Sequence, residues 1–432
     1  MICDNITISE NGNLCFASQD TVSLAKQFGT PLYLMDDARI RYNCRQYLNA
    51  MKSCFGNNCV VIYAGKAASF KAMYRIMKEE GMWVDSVSIG EIFTAVGAGF
   101  PAKNICFHGN NKTDSDLEYA LAQGVGVIMI DNTDELVALD AIAKKQGKKQ
   151  SILLRLTPGI DTHTYEAVST GKVDSKFGFA IETGAAEQVT KLALSLDNVE
   201  LLGFHCHVGS QVFDSDSFIL SATIMLEYIQ KMKNTYGYTA KVLDLGGGYG
   251  VRYVESDPIM DIESNIRRVA QHISNTCSSL GIQQPDIWME PGRSIVADAG
   301  MTLYTVGTVK EIEGYKNYVA VDGGMTDNPR FALYGSQYTL MLANKAMETA
   351  NYNCSVVGRC CESGDIIQEN VTLPDSVQKG DVLAVFTTGA YNYSMSSNYN
   401  RFLKPPVVML RNGIAEIVVR RETLEDITRY DV

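Results

Sequence analysis

Several signatures that would place this 432-residue chain at once are missing from it. No apolar run approaches the ~18 residues of a membrane-crossing helix, so no membrane partner is expected. The opening Met1-Ile2-Cys3-Asp4-Asn5 lacks a basic n-region and an apolar h-region, so no secretory signal is expected. The 11 cysteines, an odd number, include no Cys-x-x-Cys spacing. Zinc and disulfide frameworks are therefore unsupported, no metal is expected, and reduced thiols in a cytoplasmic protein fit better. Lys and Arg total 38 against 49 Asp and Glu, a formal net charge of −11, and no basic stretch stands out. That argues against a nucleic-acid partner but not against an anionic substrate, because a site can be locally basic. No Gly-x-Gly-x-x-Gly follows the first strand, which disfavours a dinucleotide-binding open sheet. Neither a low-complexity linker nor a short-period repeat is present.

What is there is ordinary globular composition, 46% hydrophobic and 20% charged, at a length that suits two domains. Eight short apolar runs, at 60–64, 83–86, 105–108, 127–130, 152–156, 201–205, 242–245 and 287–290, alternate with helical stretches such as 70–80, 113–123, 134–145, 184–196 and 216–234. Repeated strand–helix alternation predicts an α/β fold, a closed parallel (β/α)8 TIM-type barrel over residues 31–290. Beyond Pro291 the texture changes to strands and turns: 302–312, 318–321, 382–386, 407–410 and 415–419. A hairpin is expected at 6–8 and 14–17 around Asn11-Gly12. Residues 1–30 and 291–432 are thus expected to form a mainly β domain, a β-sandwich or Greek-key-like barrel.

Functional residues of a parallel barrel gather at the C-terminal ends of its strands. Lys66 follows the first run; Asp85 and Glu91 follow the second. His108 ends the third, Arg155 the fifth, and His205-Cys206-His207 the sixth. Gly246-Gly247-Gly248 follows the seventh, and Glu290-Pro291-Gly292-Arg293 ends the eighth. A desolvated lysine there loses proton affinity and can hold a carbonyl cofactor as a Schiff base; a snorkelling strand-end lysine is the plainer alternative. The triple glycine suits a phosphate bound by backbone N–H groups, or a tightly packed turn. Glu290 needs a cationic or donor partner, either Arg293 or a protonated ring nitrogen. His205 and His207, two apart, are expected on one strand face, where a flat imidazole stacks on a ring or sits in the core. Arg330 suits bidentate carboxylate binding, or the surface.

Taken together, Tyr63-Ala64-Gly65-Lys66-Ala67, His207-Val208-Gly209-Ser210-Gln211, Gly246-Gly247-Gly248, Glu290-Pro291-Gly292-Arg293, Asp327-Asn328-Pro329-Arg330 with Ala332-Leu333-Tyr334, Cys361-Glu362-Ser363-Gly364-Asp365 and Gly389-Ala390-Tyr391 resemble the diaminopimelate decarboxylases. These are pyridoxal-phosphate enzymes with an alanine-racemase-like barrel. The resemblance spans nearly the whole chain and implies loss of CO2 from meso-2,6-diaminopimelate to give L-lysine, the last step of lysine biosynthesis. A sister decarboxylase acting on ornithine, lysine, arginine or carboxynorspermidine is the alternative. It implies that Lys66 carries pyridoxal 5'-phosphate covalently, that His207 stacks on its ring and that Glu290 pairs with its nitrogen. Asp85, Ser210, Gly246, Gly247, Gly248, Gly292, Arg293 and Tyr391 would complete the cofactor site. Arg293, Arg330, Tyr334 and Tyr391 would hold the non-reacting end of the substrate, Glu362 its distal ammonium, and Cys361 would return the proton. It further implies a homodimer whose partner subunit supplies the Cys361-Glu362 segment. Departures from the family pattern occur at Ala68, at Phe331 and across 161–166. A loop near 169–173 is a candidate to close over the site.

Overall fold

The structure, a computed structural model, describes residues 1–159 and 175–432. The departure at 161–166 and the candidate loop at 169–173 lie outside the described residues. Two compact units are present. One comprises Asn43–Gly250 and Met260–Gly292, the other Met1–Tyr42, Val251–Ile259 and Arg293–Val432.

The first unit is the barrel. Its strands run Cys59–Ala64, Trp83–Ser86, Ile105–Phe107, Val127–Ile130, Gln150–Thr157, Val199–His205, Val242–Asp244 and Asp286–Met289, each parallel to the next. The ring closes where Asp286–Met289 pairs with Cys59–Ala64 in the register Ile287 to Cys59 and Met289 to Val61. Ile62, Cys106, Met129, Leu153, Val242 and Trp288 come from six of the strands and form one buried cluster. Residues from opposite sides of a ring touch only through its interior, so these side chains fill the barrel, each worth roughly 1.5–3 kcal/mol of burial. Helices return the chain between strands, and their starts are capped as their sequences dictate. Thr113 and Asp116 form a reciprocal capping box at Asp114–Gln123, and Asn132 accepts the Glu135 N–H at Thr133–Lys145. Gly203 and Gly126 mark close backbone approaches: a Cβ there would sit 1.9 Å from Val242 O and 2.0 Å from Lys103 O.

The second unit is mostly β. A hairpin at Ile6–Ile8 and Leu14–Phe16 extends to Gln19–Asp20 as a three-stranded sheet. A larger sheet is organised by the 13-residue strand Gly300–Ile312. One half of that strand pairs with Leu32–Asp36 and Val382–Phe386, the other with Lys316–Val321. Leu32–Asp36 lies within the span expected to be barrel, yet it is a fully buried central strand here, with Gly300–Ile312 on one edge and Val407–Arg411 on the other. Strands Ala350–Val357 and Ile366–Pro374 were not anticipated. Their Asn-rich and Glu-containing sequences mask alternation, and pairing with each other and with Lys316–Val321 overrides weak local preference.

Candidate active site

The C-terminal ends of the barrel strands carry the titratable groups. Buried Asp85 accepts the Gly65 N–H on Oδ1 at 2.7 Å, which stitches the end of the first strand to the second. Lys66 sits on the single tight turn Gly65–Ala67 and is exposed, not desolvated as expected. Its charge acts on Asp85, Glu91 and His207. Burial raises the Asp85 pKa, and Lys66 and then His108 oppose the rise. Glu91 is a capping residue: its carboxylate accepts the Val87 N–H at 2.7 Å while Ser88 Oγ accepts the Glu91 N–H at 3.2 Å. Burial, reinforced by Asp85, pushes it up to about 7.

Glu290 follows the eighth strand and anchors a buried cluster. His108 Nε2 lies 2.7 Å from its Oε1, and His205 Nε2 3.3 Å from its Oε2. Burial alone would raise the Glu290 pKa, but the two imidazoles together drive it well below the usual carboxylate range. Desolvation lowers His205 to about 4, so its ring is neutral. These three residues present donor atoms within 4.8 Å of one another, a grouping that could hold a metal ion. A tetrahedral zinc at ~2.0–2.1 Å would hold neighbouring ligand atoms about 3.3 Å apart. The 2.7 Å His108–Glu290 separation is that of a hydrogen bond. Arg293 donates to the Tyr253 hydroxyl at 2.8 Å. Nearby Asp244 accepts the Gly246 N–H at 2.8 Å, and its pKa is raised, by burial first and by Glu290 second.

His207 does not share a strand face with His205. The sixth strand ends at His205, so the two-residue period stops there. The Gly247 N–H donates to His207 Nδ1 at 3.3 Å, a bond only an unprotonated Nδ1 can accept. Burial, with Lys66 next in size, holds the imidazole neutral. The glycine turn is wedged between two neighbours. A Cβ on Gly247 would lie 2.1 Å from Glu290 O, and one on Gly248 2.3 Å from Gly209 O. Close packing of the turn is therefore reason enough for these glycines. Gly292 is likewise tight, its Cβ position 2.6 Å from Ala64 Cβ. Ser210 lies half-buried in the loop after the sixth strand.

In the β unit two buried guanidinium groups share an aromatic setting. Arg330 donates to the Tyr338 hydroxyl at 2.8 Å and to Ser336 Oγ at 3.2 Å, with its Cζ 4.8 Å from the centre of the Tyr253 ring. Arg293 lies 4.8 Å over the Tyr391 ring. Burial opposes ionisation of Tyr253, yet Arg293 and Arg330 together lower its pKa. Tyr338 bonds Arg330, and Tyr334, expected to hold the retained carboxylate of the substrate, is half-buried at the end of the short helix Arg330–Tyr334. Tyr391 adopts φ 62°. Cys361 and Glu362 stand exposed on a loop of this unit. Asn400 Oδ1 accepts the Cys361 N–H at 2.7 Å, and Asp365 accepts the N–H groups of Cys360 at 2.7 Å and Met325 at 2.5 Å.

Residues 38–297 match the family model described as pyridoxal-dependent decarboxylase, pyridoxal binding domain. Barrel and site together define the class, a pyridoxal-dependent decarboxylase. The chain is 45% identical to the diaminopimelate decarboxylase of Bacillus subtilis over 98% of this chain and 96% of that one. It is 40% identical to the Staphylococcus aureus enzyme of that name, over 99% of each. A solved diaminopimelate decarboxylase from M. jannaschii, also seen with L-lysine, superposes with TM-score 0.91 at 31% identity, covering 99% of this chain and 98% of that one. The chain belongs to the diaminopimelate decarboxylase family.

Pyridoxal phosphate, the cofactor of this class, fits the residues present. An exposed primary amine, a neutral imidazole face, an ionised carboxylate and a glycine turn all stand at strand ends of one barrel. Tyr253 and Tyr338 escaped the sequence-based set of site residues, and Arg155 was placed at a strand end without a role. Tyr253 and Tyr338 lie in no periodic pattern and are recognisable only by the arginines they face. Arg155 is legible as a strand-end cation, but its setting beside Asp131 at 3.9 Å and Phe177 at 4.3 Å is tertiary.

Proposed function

We propose that this protein removes one carboxylate of meso-2,6-diaminopimelate as CO2 and releases L-lysine. The observation that carries the choice of substrate is the Arg293–Arg330 pair. Two buried guanidinium groups set among Tyr253, Tyr338 and Tyr391 suit a carboxylate that stays on the product. A diamine-forming decarboxylase has no such carboxylate to bind.

Bound pyridoxal phosphate supplies the electron sink for the pair left when CO2 departs. Lys66 Nζ is the amine that would anchor it covalently. His207 stacks on the ring as a neutral plane. Glu290 faces the ring nitrogen as an anion and favours its protonation. The Gly246-Gly247-Gly248 turn, Ser210 and the backbone at Gly292 and Arg293 hold the phosphate, with Asp85 setting the charge around Lys66. Arg330, Arg293 and Tyr334 orient the retained carboxylate, Glu362 the distal ammonium, and Cys361 Sγ delivers the proton to the carbon that lost CO2.

Cys361 and Glu362 are exposed in the single chain, an unsuitable setting for a proton donor that must exclude water. Burial by a second copy resolves this, and the active form is a homodimer with shared sites. Purified, cofactor-loaded enzyme is expected to form lysine and CO2 from meso-diaminopimelate and to leave ornithine, lysine and arginine unchanged. An equal mixture of inactive Lys66→Ala and Cys361→Ala chains should recover about a quarter of full activity, since half of the dimers carry one intact composite site. No recovery after subunit exchange would place Cys361 in the same chain as Lys66, and turnover of another amino acid would reassign the substrate.

A further inference from the structure

His108 and His205 have no part in the roles assigned above, yet both are buried against the Glu290 carboxylate. We infer that they are positioning residues for Glu290, each donating an Nε2–H so that the two imidazoles fix the plane and the charge of the carboxylate. This rests on the reading that Glu290 faces the ring nitrogen.

The geometry supplies the tautomers. An ionised carboxylate only accepts hydrogen bonds, so the ring nitrogen 2.7 Å away on His108 and the one 3.3 Å away on His205 must each carry a proton. The other nitrogen of His205, Nδ1, is buried without a hydrogen-bond partner among the described residues. Left as a lone pair it forfeits one weak interaction. Protonated, it would be an unsatisfied buried N–H on a cation, which is far more costly. His205 is thereby confined to the neutral Nε2–H form. The rings meet edge to face, centroids 5.0 Å apart and planes at 75°, so the two N–H vectors reach the carboxylate from different directions. Each oxygen accepts one imidazole and keeps a lone-pair site for a third donor.

The surroundings reinforce the charge. Arg155 acts attractively on Glu290, and burial with Glu290 itself pushes the Asp244 pKa up, which opposes a second anion beside it. The buried Asp85 carboxylate repels Glu290, and Lys66 beside it offsets its charge. A carboxylate gripped at both oxygens cannot rotate away from the ring or take up its proton. This is the arrangement by which hydrogen-bonded neighbours tune a group that touches a cofactor.

The test uses whole enzyme loaded with pyridoxal phosphate labelled with 15N in the ring, comparing wild type, Glu290→Gln, and Leu and Gln variants at His108 and His205. Gln keeps an N–H near the Nε2 position and Leu does not. The 15N shift reports ring protonation independently of turnover, and the cofactor's visible absorption confirms loading. The expected result is a shift toward the unprotonated value in Glu290→Gln and in both Leu variants. In the Leu variants kcat should fall roughly 10- to 100-fold with KM within about threefold, and the Gln variants should recover most of both signals. If Glu290→Gln moves the shift and the folded His205→Leu and His108→Leu enzymes do not, the positioning role is overturned while the reading of Glu290 stands. If Glu290→Gln leaves the shift unmoved, the reading of Glu290 fails and the inference falls with it. Should a Leu variant not fold, the Gln variant at that site decides: loss of ring protonation despite a retained N–H overturns the role, and retention supports it.

Discussion

Replacing Arg330 by Met keeps the side chain's apolar bulk and removes the fork that would hold the retained carboxylate. Of the five guanidinium N–H groups, one goes to Tyr338 and one to Ser336, and a bidentate carboxylate would take two of the remaining three. Hydrogen bonds to a charged group are worth about 1.5–3 kcal/mol each, so losing two costs ~3–6 kcal/mol, or about 10²- to 10⁴-fold in kcat/KM. Tyr338 keeps its second partner, Asn392 Oδ1 at 3.3 Å, so the local fold is expected to survive. The assay measures kcat and KM for meso-diaminopimelate together with inhibition by L-lysine and by cadaverine. L-Lysine carries the retained carboxylate and cadaverine carries none. Most of the loss should fall on KM, lysine inhibition should weaken in parallel, and cadaverine inhibition should stay within about twofold. Unchanged lysine inhibition in a folded, cofactor-loaded variant would refute the assignment of Arg330 and with it the substrate argument.

Lys66→Ala should abolish the borohydride-fixable link between protein and cofactor and lower kcat by at least about 10³-fold, checked by mass spectrometry and turnover. Gly247→Ala would place a Cβ 2.1 Å from Glu290 O, where ordinary contact begins at 3.4 Å. The turn must therefore shift by more than an ångström at ~1–3 kcal/mol, lowering both the melting temperature and the affinity for pyridoxal phosphate. Asp327, fully buried against Tyr304, has its pKa raised from 3.8 to about 7, chiefly by burial. Its folded state binds a proton more tightly than the unfolded chain does. The stability it contributes is therefore complete below pH 3.8 and is lost as pH rises through about 7. Asp327→Asn, neutral at every pH, should flatten the fall in melting temperature between pH 5 and 8 seen by calorimetry; an unchanged slope would count against a protonated Asp327.

The barrel was legible because its strands are short, apolar and spaced by helices of regular period. Burial on both faces demands such runs, and they survive in sequence as local composition. The strand-end positions of Lys66, Asp85, His108, Glu290 and the glycine turn followed from the same count, since one residue beyond a strand is a local fact. What local sequence does not carry is partnership. Leu32–Asp36 reads like any short apolar run, and only its hydrogen bonds to Gly300–Ile312 and Val407–Arg411 assign it to the β unit. Lys66 reads as desolvated but stands exposed on the tight turn after the strand. Glu290 reads as a carboxylate needing a cation. Its bonding to His108 and His205 joins residues 182 and 85 positions apart. Composition and periodicity thus determined the architecture and the kinds of groups at the site. Which groups touch, and therefore which are ionised, was decided only by tertiary structure, because hydrogen bonding and desolvation act between residues that chain order leaves far apart.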